Sequence, residues 1–205
     1  MLRQAIVDGS LASGTPLIET QLAARLEVSR GPIRSALTVL ESEGLAETQP
    51  NGRMVVVGFA ADDFRDLLAV RYELELTAVR WGFERDASLD DVESAMRAIE
   101  VAGASDEHLV GLDMAFHRAL VELGGSRFLL RSWSALAPVI QTVIATGNRR
   151  LLDQDPETHL ARIVESHSGL AAALRARDIA AVGARLRSQF DLTASMFAEP
   201  APTAP

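Results

Sequence analysis

A series of short elements near the N-terminus narrows the choice of fold more than any other part of the sequence. The spacing of apolar residues predicts a helix over Glu19–Leu26 and a second helix that begins after Ser29. Two apolar segments, Leu45–Thr48 and Met54–Val57, flank a Gln-Pro-Asn-Gly turn and predict a β-hairpin. Two short helices, a tight turn and a hairpin together indicate a winged helix-turn-helix.

The second predicted helix has the side chains that a DNA-reading helix needs. Arg30 and Arg34 are four residues apart, so they share one helix face. An arginine in the major groove can bind O6 and N7 of guanine, or a phosphate. Gly31 allows close backbone approach, and Ser29 can donate a hydrogen bond to a phosphate. The alternative is that both arginines are ordinary solvated surface.

The tip of the predicted hairpin offers a second contact with DNA. It consists of Asn51, Gly52 and Arg53, which we expect to reach a neighbouring minor groove. The whole chain has a net charge of −8, so it does not bind nucleic acid by overall charge. DNA binding must therefore depend on a local set of basic residues.

Composition excludes several other classes of protein. The 205 residues are 48% hydrophobic, which is enough to build a sizeable core. Cysteine is absent, which excludes disulfide scaffolds, thiol nucleophiles and cysteine-based zinc sites. No continuous apolar run approaches the roughly 18 residues of a membrane span. We therefore expect a cytoplasmic protein with no membrane partner.

The rest of the chain predicts helices alone. We expect a mainly α protein, with a winged helix-turn-helix over 1–58, an all-helical antiparallel bundle over 62–197 and a disordered tail over 198–205. Pro138 should kink the fourth bundle helix. The predicted helices span 62–86, 89–102, 106–123, 127–149, 156–176 and 179–197, and their predicted caps are Asp62, Ser88, Ser105, Ser126, Asp155 and Asp178.

Two charged residues lie within the apolar stripe of the first bundle helix. Arg71 and Glu75 fall on the same face as Leu68 and Tyr72. Charges in such a stripe need partners. One interpretation is that they pair with each other. The other is that Arg71 points into a cavity and binds the carboxylate of a ligand through its guanidinium fork.

A metal site is a further hypothesis. Asp113 and His117 are four residues apart on one helix and could bind one metal ion, although an Asp–His hydrogen bond explains the pair equally well. His167 lies in the apolar stripe of another helix, where a histidine is also common as a core residue. We expect His108 and His159 to be surface or cap residues.

The N-terminal motif resembles the GntR family of bacterial transcription regulators. The resemblance rests on LAARLEVSRGPIRSAL at residues 22–37 and LESEGL at residues 40–45. It implies that Arg30 and Arg34 contact DNA, with Ser29 and Gly31 at the phosphates, and that residues 51–53 form the wing tip. Members of this family usually have several more residues before the first helix, so we expect that the chain begins late.

The helical part resembles the FCD ligand-binding domain of FadR-type GntR regulators. The resemblance rests on three features: Asp113-x-x-Phe-His117, Glu-Ser-His167, and Arg71 with Glu75. It implies a divalent metal, held by an aspartate and three histidines, beside a pocket for an organic acid. The fourth ligand falls on Gln189 here, a poor ligand for zinc or nickel, although its carbonyl oxygen suits a harder ion such as manganese.

These features together predict a DNA-binding regulator, most simply a repressor. A homodimer joined through the bundles would place two recognition helices on a palindromic DNA operator, and a small carboxylate effector would control it. The alternatives are a metal-dependent hydrolase that uses Asp113, His117 and His167, and a DNA-binding dimer whose sensor pocket has degenerated. The sequence does not identify the effector or the operator, and it leaves activation open.

Overall fold

The computed structural model describes residues 1–102, 106–152 and 156–195. The chain divides into two compact units, Met1–Ala60 and Ala61–Pro205. Helices and one small hairpin make up the regular structure of the described residues. The fold is mainly α, as the sequence predicts: a winged helix-turn-helix is followed by a helical bundle.

The N-terminal unit is built from three helices and a hairpin. Its core is formed by small and medium apolar side chains from all of these elements, including Ile6, Leu22, Ile33, Leu37 and Val56. Its elements are α1 (Leu2–Val7), α2 (Glu19–Arg25), α3 (Arg30–Ser42), β1 (Ala46–Thr48) and β2 (Met54–Val56).

Helix α3 forms because its apolar residues recur on one side. Ile33, Leu37 and Leu40 are buried, while the opposite face stays in solvent. Ser29 is the residue before the first helical turn and has extended backbone angles. Gly44 has a φ of +74° and follows the helix end, which suits glycine because it has no Cβ.

The hairpin is a two-stranded antiparallel sheet. Its register pairs Ala46 with Val56 and Thr48 with Met54. Gly52 has a φ of +78° in the connecting turn, and the carboxamide oxygen of Asn51 accepts a hydrogen bond from the backbone N–H of Arg53 at 3.0 Å. The Asn51 side chain therefore helps to shape the tip of the hairpin.

The second unit contains helices throughout its described residues. α4 packs against α6, α7 and α9, and α8 packs against α5, α7 and α9. The largest core cluster includes Leu68, Met96, Phe116, Leu170 and Leu186, which come from five different helices. The helices are α4 (Ala61–Glu84), α5 (Asp90–Glu100), α6 (Asp106–Leu123), α7 (Arg127–Leu152), α8 (Pro156–Arg175) and α9 (Ile179–Ser195).

Two of the predicted cap residues, Ser88 and Asp178, accept backbone hydrogen bonds, although α5 begins at Asp90 and its N-cap residue is Leu89. The backbone N–H of Asp90 donates to Ser88 Oγ at 3.2 Å, and that of Ala181 donates to Asp178 Oδ1 at 2.9 Å. Asp62 lies inside the first turn of α4, because that helix begins at Ala61. Ser105, Asp155 and the predicted tail lie outside the described residues. Pro138 lies within α7, which continues on both sides of it.

Helix α7 is long and unusually apolar. Its residues Arg127–Arg149 are apolar enough by composition and length to cross a membrane. Sequence analysis found no such segment because Ser132, Ser134 and Gln141 interrupt every continuous apolar run. Only 28% of its most apolar 18-residue window is buried in the single chain. The helix therefore has a packed side and an accessible side of largely small or apolar residues.

Candidate functional site

The two arginines of α3 converge on a single carboxylate. Arg34 donates from Nε and Nη2 to the two oxygens of Glu19, at 3.0 and 3.1 Å. Arg30 Nη2 lies 3.5 Å from Glu19 Oε2. The hydrogen bond from Arg34 lowers the pKa of Glu19, and the same contact raises the pKa of Arg34. Both arginine side chains remain mostly exposed, so they stay available to a partner.

The other predicted DNA contacts are also at the surface. Ser29 and Gly31 are exposed, and a Cβ added at Gly31 would meet no atom within 4 Å. The hairpin tip is exposed at Asn51, Gly52 and Arg53. The N-terminal unit therefore presents its predicted residues to solvent on the recognition helix and on the wing.

A fully buried carboxylate organises the interior of the helical bundle. Glu75 Oε1 accepts hydrogen bonds from Arg71 Nε at 2.8 Å and from Trp133 Nε1 at 3.0 Å. Glu75 Oε2 lies 2.6 Å from His117 Nδ1. Burial would raise the pKa of Glu75, but the hydrogen bonds from His117 and Arg71, together with the Arg71 charge, outweigh it and lower that pKa. Glu75 is therefore an ionised acceptor that joins α4, α6 and α7.

The outer hydrogen bonds of two histidines set their tautomers. Burial and the charge of Arg71 lower the pKa of His117, which favours a neutral ring. A neutral His117 donates from Nδ1 to Glu75 and leaves a lone pair on Nε2. His167 donates from Nδ1 to the carbonyl of Ile163 at 2.8 Å, which leaves its Nε2 free in the same way.

Both free imidazole nitrogens face the same carboxylate. Asp113 Oδ1 lies 3.3 Å from His167 Nε2 and 3.8 Å from His117 Nε2. These ligand atoms all lie within 4.8 Å of one another. Burial would raise the pKa of Asp113, but His117, His167 and Arg71 together hold it well below its usual range. One carboxylate oxygen and two imidazole lone pairs thus converge at one point.

Several polar atoms at this point have no hydrogen-bond partner within the described part of the chain. They are Arg71 Nη2, Asp113 Oδ2, His167 Nε2 and both amide atoms of Gln189. All four residues line one pocket of about 70 Å³. Buried polar groups normally find partners, so this concentration of unpaired atoms is typical of a site for a small polar ligand.

Aromatic side chains fix the shape of the pocket. The Phe116 ring packs edge-on against the rings of His117 and His167. The Arg71 guanidinium carbon lies 4.6 Å from the centre of the Phe190 ring. The pocket is completed by apolar and polar side chains from α6 to α9: Leu109, Ile144, Asn148, His159, Arg162, Ile163, Ser166 and Thr193.

The structure resolves the alternatives for the paired residues. Arg71 and Glu75 pair with each other, and Arg71 also lines the pocket, where its Nη2 atom lies 3.7 Å from Asp113 Oδ2. The Asp113–His117 hydrogen bond is not formed, because the 3.8 Å separation of Oδ1 and Nε2 is too long. His117 donates to Glu75 instead.

Sequence reasoning missed part of this site. His159 was expected at the surface or in a cap, but it is buried and lines the pocket. The contributions of Glu75 and Trp133 to orienting His117 and Arg71 were also missed. The sequence did indicate that Glu75 needs hydrogen-bond donors, because it is a carboxylate within an apolar stripe. Two of those donors, on His117 and Trp133, lie too far away in the sequence to be identified from it.

A winged helix-turn-helix followed by a helical unit with a polar interior pocket is the architecture of a DNA-binding transcription regulator. The chain belongs to the GntR family of bacterial regulatory proteins, whose pattern matches residues 1–56, and it carries an FCD domain over residues 66–191. It is therefore a DNA-binding transcription regulator and not an enzyme.

A curated relative agrees with this assignment, and solved structures share the fold. The chain is 28% identical over 198 residues to the gluconate operon transcriptional repressor of Bacillus licheniformis, covering 93% of this chain and 79% of that protein. A GntR-type regulator from Rhodococcus sp. RHA1 is 24% identical, with a TM-score of 0.66 over 98% of this chain and 95% of that chain. Lar, which controls the agr system of Listeria monocytogenes, has a TM-score of 0.70 at 18% identity, over 95% and 92% of the two chains.

Proposed function

We propose that the chain is a repressor that reads a palindromic operator through Arg30 and Arg34 and releases it in response to a small carboxylate effector. The main support for the proposed DNA contact is the exposed pair of arginines, Arg30 and Arg34, at the start of α3. Ser29 and Gly31 would lie at phosphates, and the tip formed by residues 51–53 would enter a minor groove.

Operator binding tests this proposal directly. The operator can be recovered by selecting from random duplex DNA with the full-length protein. Arg30→Ala and Arg34→Ala should each weaken operator binding by about tenfold to a hundredfold, the size expected for a lost arginine–guanine contact. Arg118→Ala is the matched control, because Arg118 is an exposed arginine of the helical unit. Operator affinity that stays at the wild-type value in both α3 variants, with an unchanged melting temperature, would contradict the assignment.

We also propose that the bundle pocket holds a divalent metal ion together with the effector. The donor set supports this, since two Nε2 lone pairs and the Asp113 carboxylate converge and each imidazole is oriented by an outer acceptor. Asp113, His117 and His167 would hold zinc, nickel or manganese. A bound ion would supply a positive centre that attracts an acid. Arg71 Nη2, which lies 3.7 Å from Asp113 Oδ2 and has no hydrogen-bond partner among the described residues, would bind a carboxylate oxygen of the effector.

A measurement of metal content distinguishes this proposal from the alternative, in which the sensor pocket has degenerated. The untagged wild-type protein should contain about one metal ion per chain by elemental mass spectrometry, and His117→Ala and His167→Ala should lose it. His108→Ala is the control, because His108 is exposed. A wild-type protein that stays metal-free after soaking with zinc, nickel and manganese would favour a DNA-binding dimer without a working metal site.

A homodimer in the cytoplasm completes the proposed function. Val70 on α4 and Phe128 on α7 are 48% and 64% exposed, on helices that pack side by side. Only 28% of the most apolar window of α7 is buried in the single chain. A second copy would cover this surface and would match the symmetry of a palindromic operator. Val70→Glu should lower the molar mass measured by light scattering to that of a monomer.

A further inference from the structure

Helix α3 carries a negative charge on the same face as its two exposed arginines. Arg34 and Glu41 are seven residues apart, which is about 700° of helix rotation and only about 20° short of two full turns. Arg30 lies on this face as well, because it is one turn before Arg34. Glu41 is exposed. A carboxylate that faces DNA repels the phosphates, so Glu41 in this position weakens binding unless it serves another purpose.

The hairpin of the N-terminal unit provides a partner for this carboxylate. The backbone N–H of Thr48, the last residue of β1, donates to Glu41 Oε1 at 3.1 Å. The next residue, Gln49, donates from its backbone N–H across the hairpin to the Arg53 carbonyl at 2.8 Å. Successive N–H groups along a strand point to opposite sides, so the Thr48 N–H faces away from β2. Glu41 therefore binds the outer edge of β1.

The two edges of the hairpin are held in different ways. The outer edge of β2 pairs with backbone that precedes α2: Val56 N–H donates to the Thr15 carbonyl at 3.0 Å, and Leu17 N–H donates to the Met54 carbonyl at 2.9 Å. On the outer edge of β1, the acceptor is a side chain of α3. A two-stranded hairpin is marginally stable by itself. The contact with Glu41 therefore helps to determine where β1, and the tip that follows it, lie relative to α3.

We propose that Glu41 is a positioning residue for the wing. By holding β1 against α3, it sets the distance between the hairpin tip at residues 51–53 and the arginines of α3. Arg53 can then reach a minor groove while Arg30 and Arg34 occupy the major groove. Glu41 itself makes no contact with DNA in this arrangement. The inference rests on the wing contact proposed above and adds the residue that directs it.

Two neutral variants of Glu41 separate the hydrogen bond from the charge. Glu41→Gln keeps an acceptor oxygen, whereas Glu41→Met has a similar length and no oxygen. Both lose the negative charge, so the difference between them isolates the acceptor. Glu41→Met should bind the operator about threefold to tenfold more weakly than Glu41→Gln, the size expected for one hydrogen bond.

Fluorescence anisotropy of labelled operator DNA, titrated with the full-length protein, measures this difference. The same two substitutions at Glu47, an exposed residue of β1, provide the matched control. Operator affinities of Glu47→Gln and Glu47→Met should differ by less than about twofold.

A combination with Arg53→Ala tests whether Glu41 acts through the wing. If Glu41 positions Arg53, the difference between Glu41→Gln and Glu41→Met should fall below about twofold once Arg53 is replaced. A residue that only stabilises the fold would give the same difference in both backgrounds. Hydrogen exchange measured by NMR adds a test without DNA, in which the Thr48 amide should exchange faster in Glu41→Met than in Glu41→Gln.

Three results would overturn this inference alone. Equal operator affinity of Glu41→Gln and Glu41→Met, when Arg53→Ala still weakens binding, would show that the wing contact does not need Glu41. A difference that persists in the Arg53→Ala background would show that Glu41 acts on α3 or on DNA directly. Equal exchange of the Thr48 amide in the two variants would show that the hydrogen bond does not form in solution. Wild-type operator affinity of Arg53→Ala would instead reject the proposed wing contact, and the inference with it.

Discussion

The carboxylate of Glu75 and the imidazole of His117 are joined by a hydrogen bond of 2.6 Å between Oε2 and Nδ1. This contact links α4 to α6 at the centre of the bundle, where both side chains are buried. The same carboxylate also accepts from Arg71 and Trp133. Glu75 therefore controls the direction of the free His117 nitrogen and the position of the Arg71 guanidinium.

Replacement of Glu75 by alanine should destabilise the protein strongly. It would leave the buried Arg71 charge without its main partner, and removing one member of a buried ion pair typically costs about 3–5 kcal/mol. Chemical denaturation of the apo protein measures this change. Glu122→Ala is the matched control, because Glu122 forms an exposed i,i+4 pair with Arg118 and such pairs contribute about 0.3–0.5 kcal/mol.

The double variant Arg71→Met with Glu75→Leu separates stability from binding. Apolar residues of similar volume should restore much of the unfolding free energy, since they remove both buried charges together. The double variant should nevertheless fail to bind an acid, because the guanidinium fork is gone. A double variant that binds acids as well as the wild type would show that Arg71 does not contact the effector.

Substitution of Glu19 by glutamine should reduce DNA specificity while strengthening binding to unrelated DNA. Glu19 neutralises part of the charge of Arg30 and Arg34 and holds the Arg34 guanidinium in one position. Without its negative charge, phosphate binding should tighten and the steepness of the salt dependence should increase. The ratio of operator affinity to random-duplex affinity, measured over several salt concentrations, checks this. Glu27→Gln, an exposed acid after α2, is the control.

Loss of the wing arginine should weaken binding to all sequences by a similar factor. Arg53 is exposed at the hairpin tip, beside a turn shaped by Asn51 and Gly52. Arg53→Ala should reduce the slope of log affinity against log salt by about one phosphate contact. A change confined to one base position of the operator would instead assign Arg53 to base reading.

A pair of glycine variants tests the packing between α4 and the end of α6. A Cβ at Gly124 would lie 2.9 Å from the Cα atom of Ala78. This is a backbone atom, so it cannot move aside easily. Gly124→Ala should therefore destabilise the protein by about 1–3 kcal/mol. Gly111 lies within α6 with no atom within 4 Å of such a Cβ. Gly111→Ala should stabilise the protein by about 0.5–1 kcal/mol. Equal effects of the two substitutions would contradict this account.

The sequence predicted the elements well because their signals are local. The i,i+4 spacing of Arg30 and Arg34, and the apolar periodicity of Ile33 and Leu37, depend only on the geometry of one helix. The same reasoning placed Asp113 and His117 on one face of α6, although it did not determine which acceptor each side chain chooses.

The contacts that complete the pocket could not be predicted in this way. Trp133 reaches Glu75 across 58 positions of sequence, and His117 reaches it across 42. The burial of His159 depends on how α8 packs against its neighbours, and no local pattern carries that information. The unpaired amide of Gln189 becomes apparent only when the partners of the surrounding side chains are known.

The pocket residues are part of the core that folds the helical unit, and this links ligand supply to the survival of the protein. A ligand present at a hundred times its dissociation constant adds about 2.7 kcal/mol to the unfolding free energy of the chain that binds it. The unfolded fraction, on which cellular proteases act, would fall about a hundredfold. If the proposed effector binds this pocket, the lifetime of the regulator should follow the concentration of that effector, so that the proposed signal would also determine how many copies remain to sense it.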